Sequence, residues 1–160
     1  MSAVRIWYDR LEAVKRELPV KAGGSCNEGV EDMPYKVVIA DKVDLIRDIY
    51  ENAIEQSEGY TLAASFAKPS QAVAYLADNG ADIVVMNLIP GAGMNGIEAA
   101  QEIKALKPEV KIIVTAVLPN AEDAAQAQKA GIEGLWTLQA DEKAFLDVMS
   151  RVMAGEKVYL

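Results

Sequence analysis

The sequence contains no histidine, and its only cysteine is Cys26. Without histidine, Ser-His-Asp and Cys-His mechanisms and most zinc sites are excluded. A single cysteine cannot form an internal disulfide, so a reducing cytoplasm is the expected location. The sequence also has no apolar run that approaches the length of a membrane-spanning helix, and no membrane association is predicted.

Positive charge is scarce as well. The chain has 16 Lys and Arg against 24 Asp and Glu, which gives a formal charge of −8. Proteins that bind nucleic acids neutralise phosphates with clustered basic residues, so direct contact with nucleic acid is not expected. Apolar residues, in contrast, make up 51% of the 160 residues, which suits one domain with a full core and a modest appendage.

Residues 1–20 have the pattern of an amphipathic helix, and residues 21–34 are a Gly-rich, polar linker. A lone helix of this length is marginal in water, so its apolar seam has to pack on something. The partner is either the chain's own domain or another protein, including a second copy, and the sequence leaves both open. The seam repeats at spacings of three and four residues and consists of Val4, Trp7, Leu11, Val14 and Leu18.

From residue 35 to residue 160, short apolar runs alternate with helical patterns, and Gly and Pro mark the boundaries. Five β-α units in one domain predict an α/β fold with a doubly wound, five-stranded parallel sheet, preceded by the N-terminal helical extension. The predicted strands are 36–40, 61–65, 82–87, 111–115 and 134–138. The predicted helices are 43–56, 69–78, 96–106, 121–130 and 141–153.

Residues 35–158 resemble the receiver domain of bacterial two-component response regulators. The matching stretches, in register, are VVIAD (37–41), ADIVVMNL and GMNGIEAAQEIK (81–104), PEVKIIVTA (108–116) and AGIEGL (130–135). The resemblance implies a flavodoxin-like fold and a signalling role rather than an enzymatic one. The tail AGEKVYL (154–160) resembles the start of a linker to a DNA-binding domain, which raises the hypothesis that this is the regulatory part of a transcriptional regulator.

The same resemblance implies that the phosphorylation chemistry of the family is missing. Two adjacent acids that help to hold Mg²⁺ in the family fall on Asp41 and Lys42, and the phospho-acceptor Asp falls on Asn87. An amide oxygen is too weak a nucleophile to form an acyl phosphate. Mg²⁺ also prefers hard, anionic oxygens. The sequence therefore predicts neither a metal nor a cofactor here.

Two further family positions are altered. The Lys that contacts the phosphoryl group falls on Leu138. The hydroxyl residue of strand 4 falls on Ala116 in an ungapped alignment, whereas a one-residue gap would place Thr115 there. We prefer the ungapped alignment, which puts Thr115 on the other face of the strand. The overall interpretation is a phosphorylation-independent pseudo-receiver that acts through a protein partner or a homodimer.

The turn after Asn87 supports an alternative function. Gly91, Gly93 and Gly96 match the pattern G-x-G-x-x-G between a strand and a helix, which is the context of a dinucleotide fingerprint. The next strand, however, ends without the acidic residue that binds the ribose. A nucleotide or small-ligand domain therefore remains the alternative, and a flexible turn is the favoured interpretation.

Overall fold

The computed structural model describes residues 33–88, 93–138 and 141–159. The predicted seam from Val4 to Leu18, most of the linker, and Gly91 lie outside these residues. The described residues form six strands: β1 (Tyr35–Ala40), β2 (Tyr60–Phe66), β3 (Ile83–Asn87), β4 (Lys111–Ala116), β5 (Gly134–Thr137) and β6 (Val158–Tyr159). They also form five helices: α1 (Asp44–Glu55), α2 (Pro69–Asp78), α3 (Gly96–Leu106), α4 (Ala121–Lys129) and α5 (Glu142–Met153).

All six strands pair in parallel in the order β2-β1-β3-β4-β5-β6. Helices α1 and α5 pack on one face of the sheet, and α2, α3 and α4 pack on the other. The central strands are buried on both faces, which explains their continuous apolar sequences such as IVVM in β3. The predicted doubly wound α/β sandwich is confirmed.

The prediction of five strands is wrong by one, because the tail adds β6 beside β5. Gly134 pairs with Val158 and Leu135 with Tyr159. The Tyr159 hydroxyl donates to the Ile132 carbonyl oxygen at 2.6 Å and anchors this strand. A strand of two residues is too short to show a period, so the sequence pattern could not reveal it.

Helix and strand boundaries agree closely with the sequence patterns. Helices α2 and α3 begin and end at the predicted residues, 69–78 and 96–106. The clear signals are a Pro in the first turn of α2 and an Asn-Gly pair that begins α3. Within the described ranges, no helix combines the length and apolar character needed to cross a bilayer.

Candidate functional site

The carboxyl ends of β1 and β3 bring two of the predicted site residues together. Asn87 Nδ2 donates to Asp41 Oδ2 at 3.0 Å, and the Val43 backbone N–H donates to Asp41 Oδ1 at 2.9 Å. Both side chains are buried, with 2% of Asp41 and 5% of Asn87 exposed. We call this pair and its surroundings the Asp41–Asn87 pocket. It lies at the topological switch point, where open α/β sheets bind ligands.

The nearest charges do not pair with the Asp41 carboxylate. Lys42 is exposed, and the Arg47 guanidinium donates to the Asp41 backbone oxygen and to the Asp44 side chain. Burial raises the pKa of the Asp41 carboxyl above its usual value. The Val43 and Asn87 hydrogen bonds oppose that rise, and the charges of Arg47 and Lys42 oppose it less. The pocket therefore holds a carboxylate whose hydrogen bonds come from uncharged donors.

The two candidates on β4 lie on opposite faces of the sheet. Thr115 pairs in register with Asn87, and its hydroxyl makes a long hydrogen bond of 3.4 Å to the Met86 carbonyl oxygen. Ala116 faces the α3–α4 side, where it lines a separate cleft. At the end of β5, Leu138 is buried in the apolar cluster between the sheet and helices α1 and α5, and its backbone N–H donates to the Ala116 oxygen.

Tyr50, which no sequence motif singled out, lies beneath the pocket. Its ring is 1% exposed and stacks on Phe145 with ring centroids 4.2 Å apart. Its hydroxyl lies near that of Thr115 without reaching hydrogen-bonding geometry, and it has no other polar partner among the described residues. Burial raises its pKa well above the usual value, the Asp41 charge adds to that rise, and the nearby Thr115 hydroxyl lowers it. The signal in the sequence was its position in the apolar stripe of α1, one turn after Ile46.

The glycines of the turn have conformational and packing roles. Gly93 adopts a φ of 109°, a conformation that L-residues rarely adopt. A Cβ atom on Gly96 would lie 2.6 Å from the Asn87 backbone oxygen, so only glycine lets α3 approach the end of β3 this closely. Asn95 caps the helix by accepting hydrogen bonds from the Ile97 and Glu98 backbone N–H groups. No observation on the described residues favours the nucleotide site.

Mg²⁺ is the metal that the resemblance associates with this edge of the sheet, and the residues present do not suit it. Asp41 supplies the one carboxylate that the described residues bring to the pocket, and both of its oxygens already accept hydrogen bonds. Elsewhere within the described ranges, no group of three or more His, Cys, Asp or Glu side chains could hold a metal ion. The pocket offers one carboxylate, one amide and one nearby hydroxyl.

A parallel sheet of this strand order, with polar side chains gathered at the ends of β1 and β3, defines a flavodoxin-like receiver fold. Residues 37–149 match the family described as the response regulator receiver domain, and the chain belongs to that family. Domains of this family are signalling modules rather than enzymes, and they contact other proteins and dimerise.

Similar proteins support the same assignment. The chain is 21% identical over 127 residues to the response regulator protein VraR of Staphylococcus aureus, covering 79% of this chain and 60% of that protein. It thus spans less than two thirds of these relatives' length.

Solved structures give the same fold. A LuxR-family two-component response regulator from Aurantimonas is 25% identical with a TM-score of 0.72, covering 79% of this chain and 89% of that one. The isolated receiver domain of RcsB from Salmonella enterica, solved with the phosphomimetic BeF3⁻, is 22% identical with a TM-score of 0.70, covering 80% and 94%.

Proposed function

We propose that this domain is a phosphorylation-independent pseudo-receiver, which signals through protein contacts without forming an acyl phosphate. The observation that carries the proposal is the hydrogen bond from Asn87 Nδ2 to Asp41 Oδ2 at 3.0 Å. The side chain at the position of the family's acceptor is an amide, and it donates to the remaining acid. Acyl phosphate formation needs an ionised carboxylate as the nucleophile at that position.

The charge of the pocket supports the same proposal. An amide at residue 87 and an ammonium at residue 42 replace two of the carboxylates that the resemblance expects. A pair of unit charges about 4 Å apart near a protein surface interacts by roughly 4 kcal/mol, so losing two such partners removes most of the attraction for a divalent cation. Leu138, where the family has its Lys, is buried in an apolar cluster. No cation is thus supplied for phosphoryl oxygens at that position.

We further propose that the contacts are made with a protein partner or a second copy, and that the domain is the regulatory part of a transcriptional regulator. The similarity to a LuxR-family response regulator and the longer length of the VraR relatives support this. The gene sequence beyond residue 160 tests the second point, because a DNA-binding domain encoded there is expected.

The direct test of the chemistry is incubation of the full chain with acetyl phosphate and Mg²⁺, followed by intact-mass measurement. We expect no gain of a phosphoryl group. A matched control is the triple variant K42D/N87D/L138K, which returns the family's two acids and Lys to the pocket and is expected to become a substrate. A phosphoryl group on the unaltered chain, whether on Asp41 or elsewhere in the pocket, would reject the proposal.

A further inference from the structure

A cleft of about 300 Å³ opens on the α3–α4 side of the sheet, at the carboxyl ends of β3 and β4. We call it the α3–α4 cleft. Its apolar wall consists of Leu88, Ile97 and Leu118. Its polar groups belong to Asn95, Asp123 and Gln126. This volume is at the lower end of the range for small-molecule sites, which combine apolar walls with a few convergent polar groups.

The cleft remains open because the residue at its base and the buried residue of α4 are both alanines. Ala116 ends β4 with a single methyl group at the base of the cleft. Helix α4 is rich in Ala and Gln, and Ala127 is its one fully buried residue. The helix therefore does not fill the space between itself and α3. Leu118, in the loop before α4, is 78% exposed, although burying a large apolar side chain is favourable.

Asp123 is the one charged group among the described residues that line the cleft, and Asn95 and Gln126 add neutral amides. Asp123 Oδ2 accepts from the Asn120 backbone N–H at 2.9 Å, so Oδ1 is the oxygen that a ligand donor would meet. Gln126 Nε2 donates to Glu122 at 3.2 Å, which leaves its carbonyl oxygen as the acceptor. No Lys or Arg is among the described residues that line the cleft. Phosphate groups would be repelled, and a cationic donor would be attracted.

We propose that the α3–α4 cleft binds a small amphipathic amine. The ammonium group contacts Asp123 and the Gln126 carbonyl oxygen, and the apolar body packs against Leu88, Ile97 and Leu118. Binding buries the exposed Leu118 side chain. Leu88 follows Asn87 directly and Ala116 ends β4, so the cleft adjoins the Asp41–Asn87 pocket. Amine binding there uses neither Asp41 nor a phosphoryl group, and its test is therefore independent of the chemistry proposed for that pocket. It also differs from a nucleotide site, because its charge selects against anions.

Methyl-resolved NMR on the full chain, titrated with 2-phenylethylamine, tests the proposal. We expect the Leu88, Ile97 and Leu118 methyl signals to shift with a Kd of about 1 mM, an affinity in keeping with so small a ligand. Two probes with the same phenylethyl body are the controls: 2-phenylethanol is neutral and 3-phenylpropionate is anionic. The alcohol is expected to bind about tenfold more weakly, because it lacks the charge that pairs with Asp123, and the carboxylate is expected not to bind.

Two variants localise the binding. Asp123→Asn keeps an oxygen for the Asn120 N–H and removes the charge, so it is expected to weaken amine binding about tenfold while leaving the affinity for the alcohol unchanged. Ala116→Leu fills the base of the cleft and is expected to abolish both. If Ala116→Leu does not fold, Asp123→Asn decides alone. Absence of methyl shifts with the amine, equal binding of the carboxylate, or an unchanged amine affinity in Asp123→Asn would overturn the proposal.

Discussion

Each edge of the sheet buries a carboxylate, and the two carboxylates differ in the groups that donate hydrogen bonds to them. At the amino edge, Glu133 is 6% exposed and accepts from Lys104 Nζ at 2.5 Å and from the Ile112 backbone N–H at 2.8 Å. Lys104 also donates to the Val110 carbonyl oxygen at 2.7 Å. At the carboxyl edge, Asp41 accepts from two uncharged donors, and the Tyr50 hydroxyl below it has no partner among the described residues.

The difference separates a structural site from a candidate functional one. Glu133 ties the end of α3, the start of β4 and the turn before β5 into one hydrogen-bonded unit, which is what a stabilising ion pair does when its geometry is complete. The carboxyl edge retains a buried acid and a buried hydroxyl whose desolvation is not fully compensated. Native proteins keep such arrangements mainly where function has shaped the site. Breaking each edge in turn therefore tests the comparison.

The largest effect is expected from Glu133→Gln. The change leaves the Lys104 ammonium half-buried without its carboxylate, and breaking a buried pair from one side costs about 3 kcal/mol of unfolding free energy. Urea unfolding measures the loss. The double variant K104M/E133Q removes the ammonium as well and keeps an acceptor for the Ile112 N–H, so it is expected to recover part of the loss. A double variant no more stable than the single one would contradict this account of the amino edge.

Tyr50→Phe is expected to have a smaller effect of opposite sign. It removes a buried hydroxyl that has no partner among the described residues, and the free energy of unfolding should rise by about 1 kcal/mol. The matched control is Tyr159→Phe, which removes a hydroxyl that donates to the Ile132 oxygen at 2.6 Å and should lower stability by a similar amount. Destabilisation by Tyr50→Phe would show that its hydroxyl has a partner in solution.

The smallest effect is a pH dependence from Asp41. Because its pKa is raised in the folded state, the folded protein binds more protons than the unfolded chain at pH values between the two pKa values. The contribution of Asp41 to stability therefore falls as pH rises from near 3.8, the ordinary value of the carboxyl, to the folded-state pKa, and stays low above it.

Asp41→Asn removes this titration. We therefore compare the free energy of unfolding of the variant with that of the unaltered chain across the same pH range. The variant's value minus the unaltered chain's value should increase with pH within that window, by at most about 1.4 kcal/mol per pH unit. A difference that is independent of pH, or that shrinks as pH rises, would contradict the raised pKa.

The sequence predicted most of the framework, because the signals for it are local. The Pro that starts α2, the Asn-Gly pair that starts α3 and the apolar runs of the central strands are each visible in the sequence. The Asp41–Asn87 contact was also foreseeable in outline, since the carboxyl ends of neighbouring parallel strands share one edge.

The features that the sequence did not predict depend on contacts between residues that are distant in sequence. Lys104 and Glu133 are 29 positions apart, and no periodicity relates them. In the sequence, Tyr50 looks like any other buried residue of the apolar stripe of α1. Only the packing shows that its hydroxyl lies beneath the pocket. Strand β6 forms because α5 returns two residues to the side of β5, which is a tertiary event rather than a local preference.

In the pseudo-receiver that we propose, the carboxyl edge lacks the anionic oxygens needed to hold a divalent cation. Thermal unfolding of the full chain and of K42D/N87D, with Mg²⁺ and with NaCl of equal ionic strength, tests it most directly. The unaltered chain should show no rise in Tm with Mg²⁺ beyond that with NaCl. The double variant should gain stability with Mg²⁺, approaching about 2.7 kcal/mol at a hundred times its Kd. A saturable, Mg²⁺-specific rise in Tm of the unaltered chain would contradict the account.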